Sequence, residues 1–172
     1  MVSVLSEIDS CFTGKNKAEY KVYTSRYSRD AIAVVFRYIM EAGGDPVRVY
    51  AIGGDGILFD CLNGMVDFPN AELTSIPYGN ANDFVRAFGE NAINKFRDIM
   101  SLTKGTPHAV DIINSGSNYA MQELNIGLIG QTIINAGSIF PKIPVNLLRK
   151  NIGAAYSICA LKALFNKDFG KQ

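Results

Sequence analysis

Cysteine, histidine and net charge are all scarce in this chain. Cys11, Cys61 and Cys159 lie far apart, no Cys-x-x-Cys pair occurs, and one thiol would be left over from any single disulfide. That excludes a disulfide scaffold and points to a reduced, intracellular setting. His108 is the one histidine, so neither a His/Cys zinc cluster nor a Ser-His-Asp arrangement can be assembled. It follows Pro107, where it reads as the start of a strand. Seventeen Lys and Arg nearly cancel sixteen Asp and Glu, and a net charge of +1 gives no electrostatic case for nucleic acid. No basic flank followed by an apolar block opens the chain, so no signal peptide is read. The longest uncharged apolar stretch, Asn151 to Leu161, falls far short of the ~18–20 residues that span a bilayer. The expectation is a cytoplasmic protein. With 172 residues, 48% of them hydrophobic, it has room for one domain with a real core, or one domain and part of a second.

The pattern along the chain changes once. Tyr20 to Thr24 reads as a short strand. Ser28 is placed to cap a helix reaching about Glu41, with Gly43-Gly44 ending it. Val47 to Ile52 is a near-continuous apolar strand, suited to a buried parallel position. Ile57 to Leu62 looks helical with Gly64 as its stop, Ala71 to Ile76 is a third strand, and helices begin near Asn82 and Ala92. This alternation predicts an α/β layer with a parallel sheet. Beyond residue 105, Pro107 to Ile113, Asn118 to Asn125 and Gly127 to Asn135 read as strands in a hairpin-like grammar. A long helix from about Val145 to Phe165 follows. The expected organisation is an α/β lobe over 1–105 and the beginning of a β-rich region with a long helix over 106–172.

Two segments carry the chemistry. Gly53-Gly54-Asp55-Gly56 follows one strand and Pro77-Tyr78-Gly79-Asn80-Ala81-Asn82-Asp83-Phe84 follows the next. Turns at the carboxyl ends of parallel strands are where open α/β sheets bind ligands. Glycines let the backbone approach a ligand closely, successive N–H groups form an anion-binding concavity, and the following helix adds its positive end. Asp55 beside a phosphate is repulsive unless it meets a metal, a ribose or a proton donor, which points to Mg²⁺ or a nucleotide. The plainer reading of each segment is a tight strand-to-helix turn with a capping side chain.

Together the two turns resemble the diacylglycerol kinase catalytic domain family, which also takes in bacterial lipid kinases and sphingosine and ceramide kinases. Its Gly-Gly-Asp-Gly-Thr motif is matched by Gly53-Gly54-Asp55-Gly56, with Ile57 in place of threonine. Its Pro-x-Gly-Thr-x-Asn-Asp-Phe-x-Arg motif is matched by Pro77, Gly79, Asn82, Asp83, Phe84 and Arg86, with Asn80 in place of threonine. Asn63-Gly64, Thr24, Val110-Asp111-Ile112 and Leu124-Asn125-Ile126-Gly127 follow the family's path over almost the whole chain. The family's opening Asn-Pro-x-x-Gly loop is not found before Tyr20, and its closing β-sandwich with a proposed general base is not reached by Gln172. A shortened or partial member is therefore expected.

The resemblance implies an NAD kinase/diacylglycerol kinase-like nucleotide lobe and transfer of the ATP γ-phosphoryl group to a lipid hydroxyl such as that of diacylglycerol. It implies catalytic roles for Asp55, Arg86 and Asp111. Nucleotide contacts fall to Thr24, Gly53, Gly54, Asp55, Gly56, Gly79, Asn80, Asn82 and Asp83, and Mg²⁺ contacts to Asp55 and Asp111. Ile57 cannot supply the motif's hydroxyl, whereas Asn80 can still donate. Peripheral membrane contact and a homo-oligomer are further expectations. The long helix, with Leu148, Ile152, Ala155 and Cys159 on one face and Arg149, Lys150 and Lys162 nearby, is read as core packing or as a membrane-facing surface. Two alternatives stand beside this reading. An NAD kinase relative would share the glycine turn but carry an Asn-Glu pair that this chain lacks. A non-catalytic nucleotide-binding or assembly module is favoured by Ile57.

Overall fold

The structure, a computed structural model, describes residues 2–12 and 19–165; the side chains of Val2, Ser3, Val145 and Arg149 also fall outside the description. The chain divides into two compact units, residues 1–123 and 124–172.

The first unit is built on strands β1 (Val47–Gly53) and β2 (Ala71–Pro77), which pair in parallel from Val47 opposite Ala71 to Gly53 opposite Pro77. Helix α3 (Asp55–Met65) makes the connection between them. Because side chains alternate along a strand, the sheet serves two cores. Tyr50, Ile52 and Ile76 face Val4, Ile8 and Cys11 of helix α1 (Val2–Phe12), together with Ile99. Val49, Ala51 and Leu73 face Leu58 and Cys61 of α3. Behind α3 lies α2 (Asp30–Glu41), whose Val35 joins the same core. Full burial of a residue such as Ile39 or Ile76 is worth roughly 1.5–3 kcal/mol. The parallel α/β layer read from the sequence is the layer the structure has.

The helix ends differ from the expectation in instructive ways. Gly64 does not stop α3; the helix runs through it to Met65. A Cβ there would lie 2.6 Å from the Ile32 carbonyl oxygen and 3.0 Å from the Val35 Cβ, so glycine is what lets α2 and α3 approach. Ser28 does not cap α2. The residue before the helix is Arg29, in the left-handed region at φ 70°, with no side-chain cap. Gly43, at φ 62°, follows the last turn as expected. Among the described residues, 20–24 form no strand.

Beyond β2 the elements are short: α4 (Asp83–Arg86), α5 (Ala92–Lys95) and α6 (Ile99–Lys104). The helix expected to begin near Ala92 thus stops at Lys95 and resumes at Ile99. The hairpin has two paired residues on each side, β3 (Ile113–Asn114) and β4 (Tyr119–Ala120). Asn63 of α3 holds it as a neighbouring strand would: its Nδ2 donates to the Tyr119 carbonyl at 2.9 Å, and its Oδ1 accepts from the Tyr119 N–H at 2.8 Å.

The second unit is helical in its described residues. Gly127 to Asn135, expected as a strand, lies in α7 (Gly127–Ile139). The expected long helix is two, α8 (Val145–Lys150) and α9 (Ile152–Leu164), divided at Asn151. Helix α7 packs on α9, with Ala136 and Asn135 buried on one side and Ala155, Cys159 and Ala163 on the other. The buried Asn135 Nδ2 donates to the Cys159 carbonyl at 3.0 Å. No helix among the described residues is long and apolar enough to cross a membrane.

Candidate active site

The carboxyl ends of β1 and β2 bring the two glycine-bearing turns into direct contact. The Gly53 carbonyl accepts from both the Tyr78 N–H at 2.8 Å and the Gly79 N–H at 3.0 Å. The buried Asn82 side chain closes the second turn, accepting from the Gly79 N–H at 2.9 Å and donating to its carbonyl at 2.7 Å. Asn82 itself sits in the left-handed region at φ 52°, a conformation asparagine tolerates better than most residues. An Asp55 carboxylate oxygen accepts from the Phe84 N–H at 3.3 Å, joining the turns a second time. Asp55 and Asn82 are therefore at least partly occupied in holding the turns together.

Helix α3 starts at Asp55 with no side-chain cap, and its first recurring bond is from the Leu58 N–H to the Gly54 carbonyl at 3.2 Å. The N–H groups of Asp55, Gly56 and Ile57 precede that bond and lack an intrahelical acceptor. They border a cleft of about 580 Å³ lined by Asp55, Gly56, Ile57, Phe59 and Asp60 on one wall and by residues 25–29 on the other. A Cβ on Gly56 would meet nothing within 4 Å, so the cleft is open beside Gly56. Uncapped amides at a helix start, with the helix dipole behind them, suit an anion.

The opposite wall carries Arg26 and Arg29, which the sequence reading passed over. The signal was there: Ser25-Arg26-Tyr27-Ser28-Arg29 places two cations on one connection facing the glycine turn. The Arg29 guanidinium lies over the Phe59 ring at 4.0 Å. Its backbone N–H donates to Asp60 at 3.0 Å. Burial pushes the Asp60 carboxyl above the usual carboxylate range, opposed by the Arg29 N–H and charge. Asp30 goes the other way, held below that range by the Tyr23 hydroxyl at 2.6 Å and then by the Arg26 N–H at 2.8 Å. Burial, with the nearby Asp60 charge, pushes the Cys61 thiol up to about 12, so it is protonated at neutral pH.

The remaining sequence-predicted residues are placed as follows. Gly53, Gly54, Gly79 and Asn82 form the contact between the turns, and Asp55 and Gly56 line the cleft. Thr24 is exposed and immediately precedes the lining residues. Asn80 and Asp83 are exposed on the second turn. Asp83 lines a smaller cleft of about 140 Å³ with Asp55, Phe84, Met121 and Glu123. The Arg86 Nε donates to the Ala81 carbonyl at 2.7 Å, which bends that side chain back over its own loop. Asp111 is exposed before β3 and lines neither cleft. No group of three or more His, Cys, Asp or Glu side chains converges among the described residues; Mg²⁺ is usually bound through one or two carboxylates together with substrate phosphates and water, a need that Asp55 at the cleft can meet.

Comparison with known proteins agrees with this geometry. Residues 3–115, more than half of the chain, match the diacylglycerol kinase catalytic domain. The chain is 31% identical over 144 residues to the "Probable lipid kinase YegS-like" of Shewanella frigidimarina (strain NCIMB 400), covering 80% of this chain and 44% of that protein. It is 35% identical over 57 residues to the "Putative lipid kinase YtlR" of Bacillus subtilis (strain 168), covering 33% of this chain and 18% of that protein. The chain thus spans less than half the length of these relatives. No solved structure matches it significantly. On the match over residues 3–115 and the paired turns that it contains, the chain belongs to the diacylglycerol kinase catalytic domain family of lipid kinases.

Proposed function

We propose that this chain is the nucleotide-holding part of an ATP-dependent lipid kinase that transfers the γ-phosphoryl group to a lipid hydroxyl, with diacylglycerol as the first acceptor to test. The observation that carries this reading is the open cleft before the uncapped amides of Asp55, Gly56 and Ile57, faced by Arg26 and Arg29. Phosphoryl transfer needs positioning and neutralisation of phosphate charge, and those groups supply both. ATP phosphates seat against the amides, with Gly56 admitting them. Asp55 stands at the phosphate end, fixed through Phe84, where its carboxylate would act on the phosphates through Mg²⁺. Asn80, Asp83, Thr24 and the guanidinium end of Arg86 border the nucleotide, and Asp111 acts from the segment just before the hairpin. Asp55 and Asp111 would hold Mg²⁺, which would supply neutralisation of the phosphate charge.

A lipid acceptor fits the second unit. Helix α7 exposes Ile129 and Ile133, one turn apart, and α9 exposes Ile158 and Leu161, with Phe165 beyond its end. Such apolar rows, with Lys162 beside them, suit the surface of a lipid assembly, and peripheral membrane contact belongs to the proposal. One observation favours a non-catalytic nucleotide module instead: Ile57 lines the cleft where the family motif has a hydroxyl.

The test is incubation with γ-labelled ATP and either vesicles containing diacylglycerol or NAD as the acceptor. Label in the lipid supports the kinase reading. ATP binding without label in any lipid supports the module, and label on NAD would move the chain to the NAD kinases.

A further inference from the structure

Arg29 occupies a backbone conformation that costs energy, and its side chain has unspent donors. Its φ of 70° is in the left-handed region, which a non-glycine residue adopts only at an energetic cost. The surroundings enforce it. The Arg29 N–H is bonded to the buried Asp60 carboxylate at 3.0 Å, and α2 begins at the very next residue. The guanidinium is laid flat over the Phe59 ring at 4.0 Å, and its nearest anion, Asp60 Oδ1, is 3.8 Å from Nη1. That is an ion pair without a hydrogen bond. None of the five guanidinium N–H groups makes a hydrogen bond among the described residues, and the side chain is 54% exposed on the wall of the cleft. A planar cation fixed through its face, with its edge donors free, is prepared for bidentate contact with phosphate.

We infer that Arg29 is a phosphate-positioning residue of this site, holding the nucleotide phosphates from the wall opposite the α3 amides and supplying the polar contact that Ile57 cannot. This rests on the nucleotide reading above. Phe59 and Asp60, both on α3, set the orientation of the guanidinium. The guanidinium is thus braced by the helix whose first residues line the same cleft.

A purely structural arginine and a phosphate clamp make opposite demands on one substitution. Arg29→Gly relieves the left-handed strain, and Arg29→Asn also tolerates that conformation. Both variants keep the backbone N–H that bonds Asp60, and the relief of strain offsets the lost Phe59 and Asp60 side-chain contacts, so both are expected to fold and to melt near the wild-type temperature. Calorimetric titration with ATP, and with adenosine as the probe lacking phosphate, then decides the role. The expected result is ATP binding about 10–100-fold weaker in both variants, the size of a lost charge-assisted hydrogen bond, with adenosine binding unchanged. If ATP and adenosine weaken together, or ATP binds the variants as tightly as the wild type, the assignment of Arg29 fails while the nucleotide reading stands. If the folded wild-type chain binds no ATP, the nucleotide reading fails and the assignment with it.

Discussion

Gly79 lies backbone against backbone on Gly54: a Cβ at Gly79 would collide with the Gly54 Cα and come within 2.9 Å of the Gly54 nitrogen. Neither backbone can give way without breaking the bonds from Tyr78 and Gly79 to the Gly53 carbonyl. Gly79→Ala should therefore cost about 1–3 kcal/mol, the usual size of overpacking. Urea unfolding would measure it, and unchanged stability would mean the turns do not touch.

Asn82 holds the second turn through both its amide nitrogen and its amide oxygen. Asn82→Ala removes both bonds and leaves alanine at positive φ, a loss of about 2 kcal/mol. Asn82→Gly keeps the backbone free and should recover part of that loss. The difference between the two variants in urea isolates the backbone contribution. Equal stabilities would contradict the left-handed geometry.

Gly64 makes the same kind of contact between helices. Gly64→Ala drives a methyl toward the Ile32 carbonyl and Val35 and should destabilise by about 1–3 kcal/mol. In an unpacked helix the same change would stabilise by about 1 kcal/mol, so the sign alone tells whether α2 and α3 meet there.

Acid should unfold the protein partly through Asp30. Its folded carboxyl is held below the ordinary range, so it contributes stability above its unfolded pKa and loses it as pH falls through the folded value. Asp60 acts in reverse: its carboxyl is raised by burial, so its contribution is present below the unfolded pKa and is lost as pH rises through the folded value. Asp30→Asn should flatten the acid-side fall in stability followed by circular dichroism. An acid limb as steep as that of the wild type would show that the Tyr23 and Arg26 contacts do not hold Asp30.

The three thiols are free and buried, and Cys61 is pushed up to about 12. A thiol reagent at neutral pH should label the native chain slowly and all three sites rapidly once denatured. Fast native labelling of Cys61 would contradict its burial on the face of α3 that packs against β1.

Much of the first unit was legible because local and tertiary preferences coincide there. The apolar runs at 47–52 and 71–76 are strands whose alternate residues feed two cores, and the glycine turns stand at their ends. Elsewhere one residue type serves two purposes. Gly64 carries the composition of a helix stop, yet its lack of a Cβ serves a helix–helix approach that only the folded chain reveals. The run from Gly127 to Asn135 is rich in isoleucine, which favours strands locally, but Asn135 and Ala136 are buried against α9 and the segment is helical. The break at Asn151 follows from its own backbone, at φ −130° and ψ 32°, which no pattern of apolar residues announces. Arg29 was hidden because its importance lies in a left-handed φ and in a ring contributed by α3.

Gly56 gives the most direct test of the nucleotide site. It is exposed, and a Cβ there meets no atom within 4 Å, so Gly56→Val should fold as the wild type does while filling the cleft beside that residue. Calorimetric titration of both proteins with ATP is the measurement. Phosphates seated on the glycine turn predict binding by the wild type and binding at least about tenfold weaker in the variant, a loss of about 1.4 kcal/mol. Equal ATP affinity in two equally folded proteins would contradict that placement.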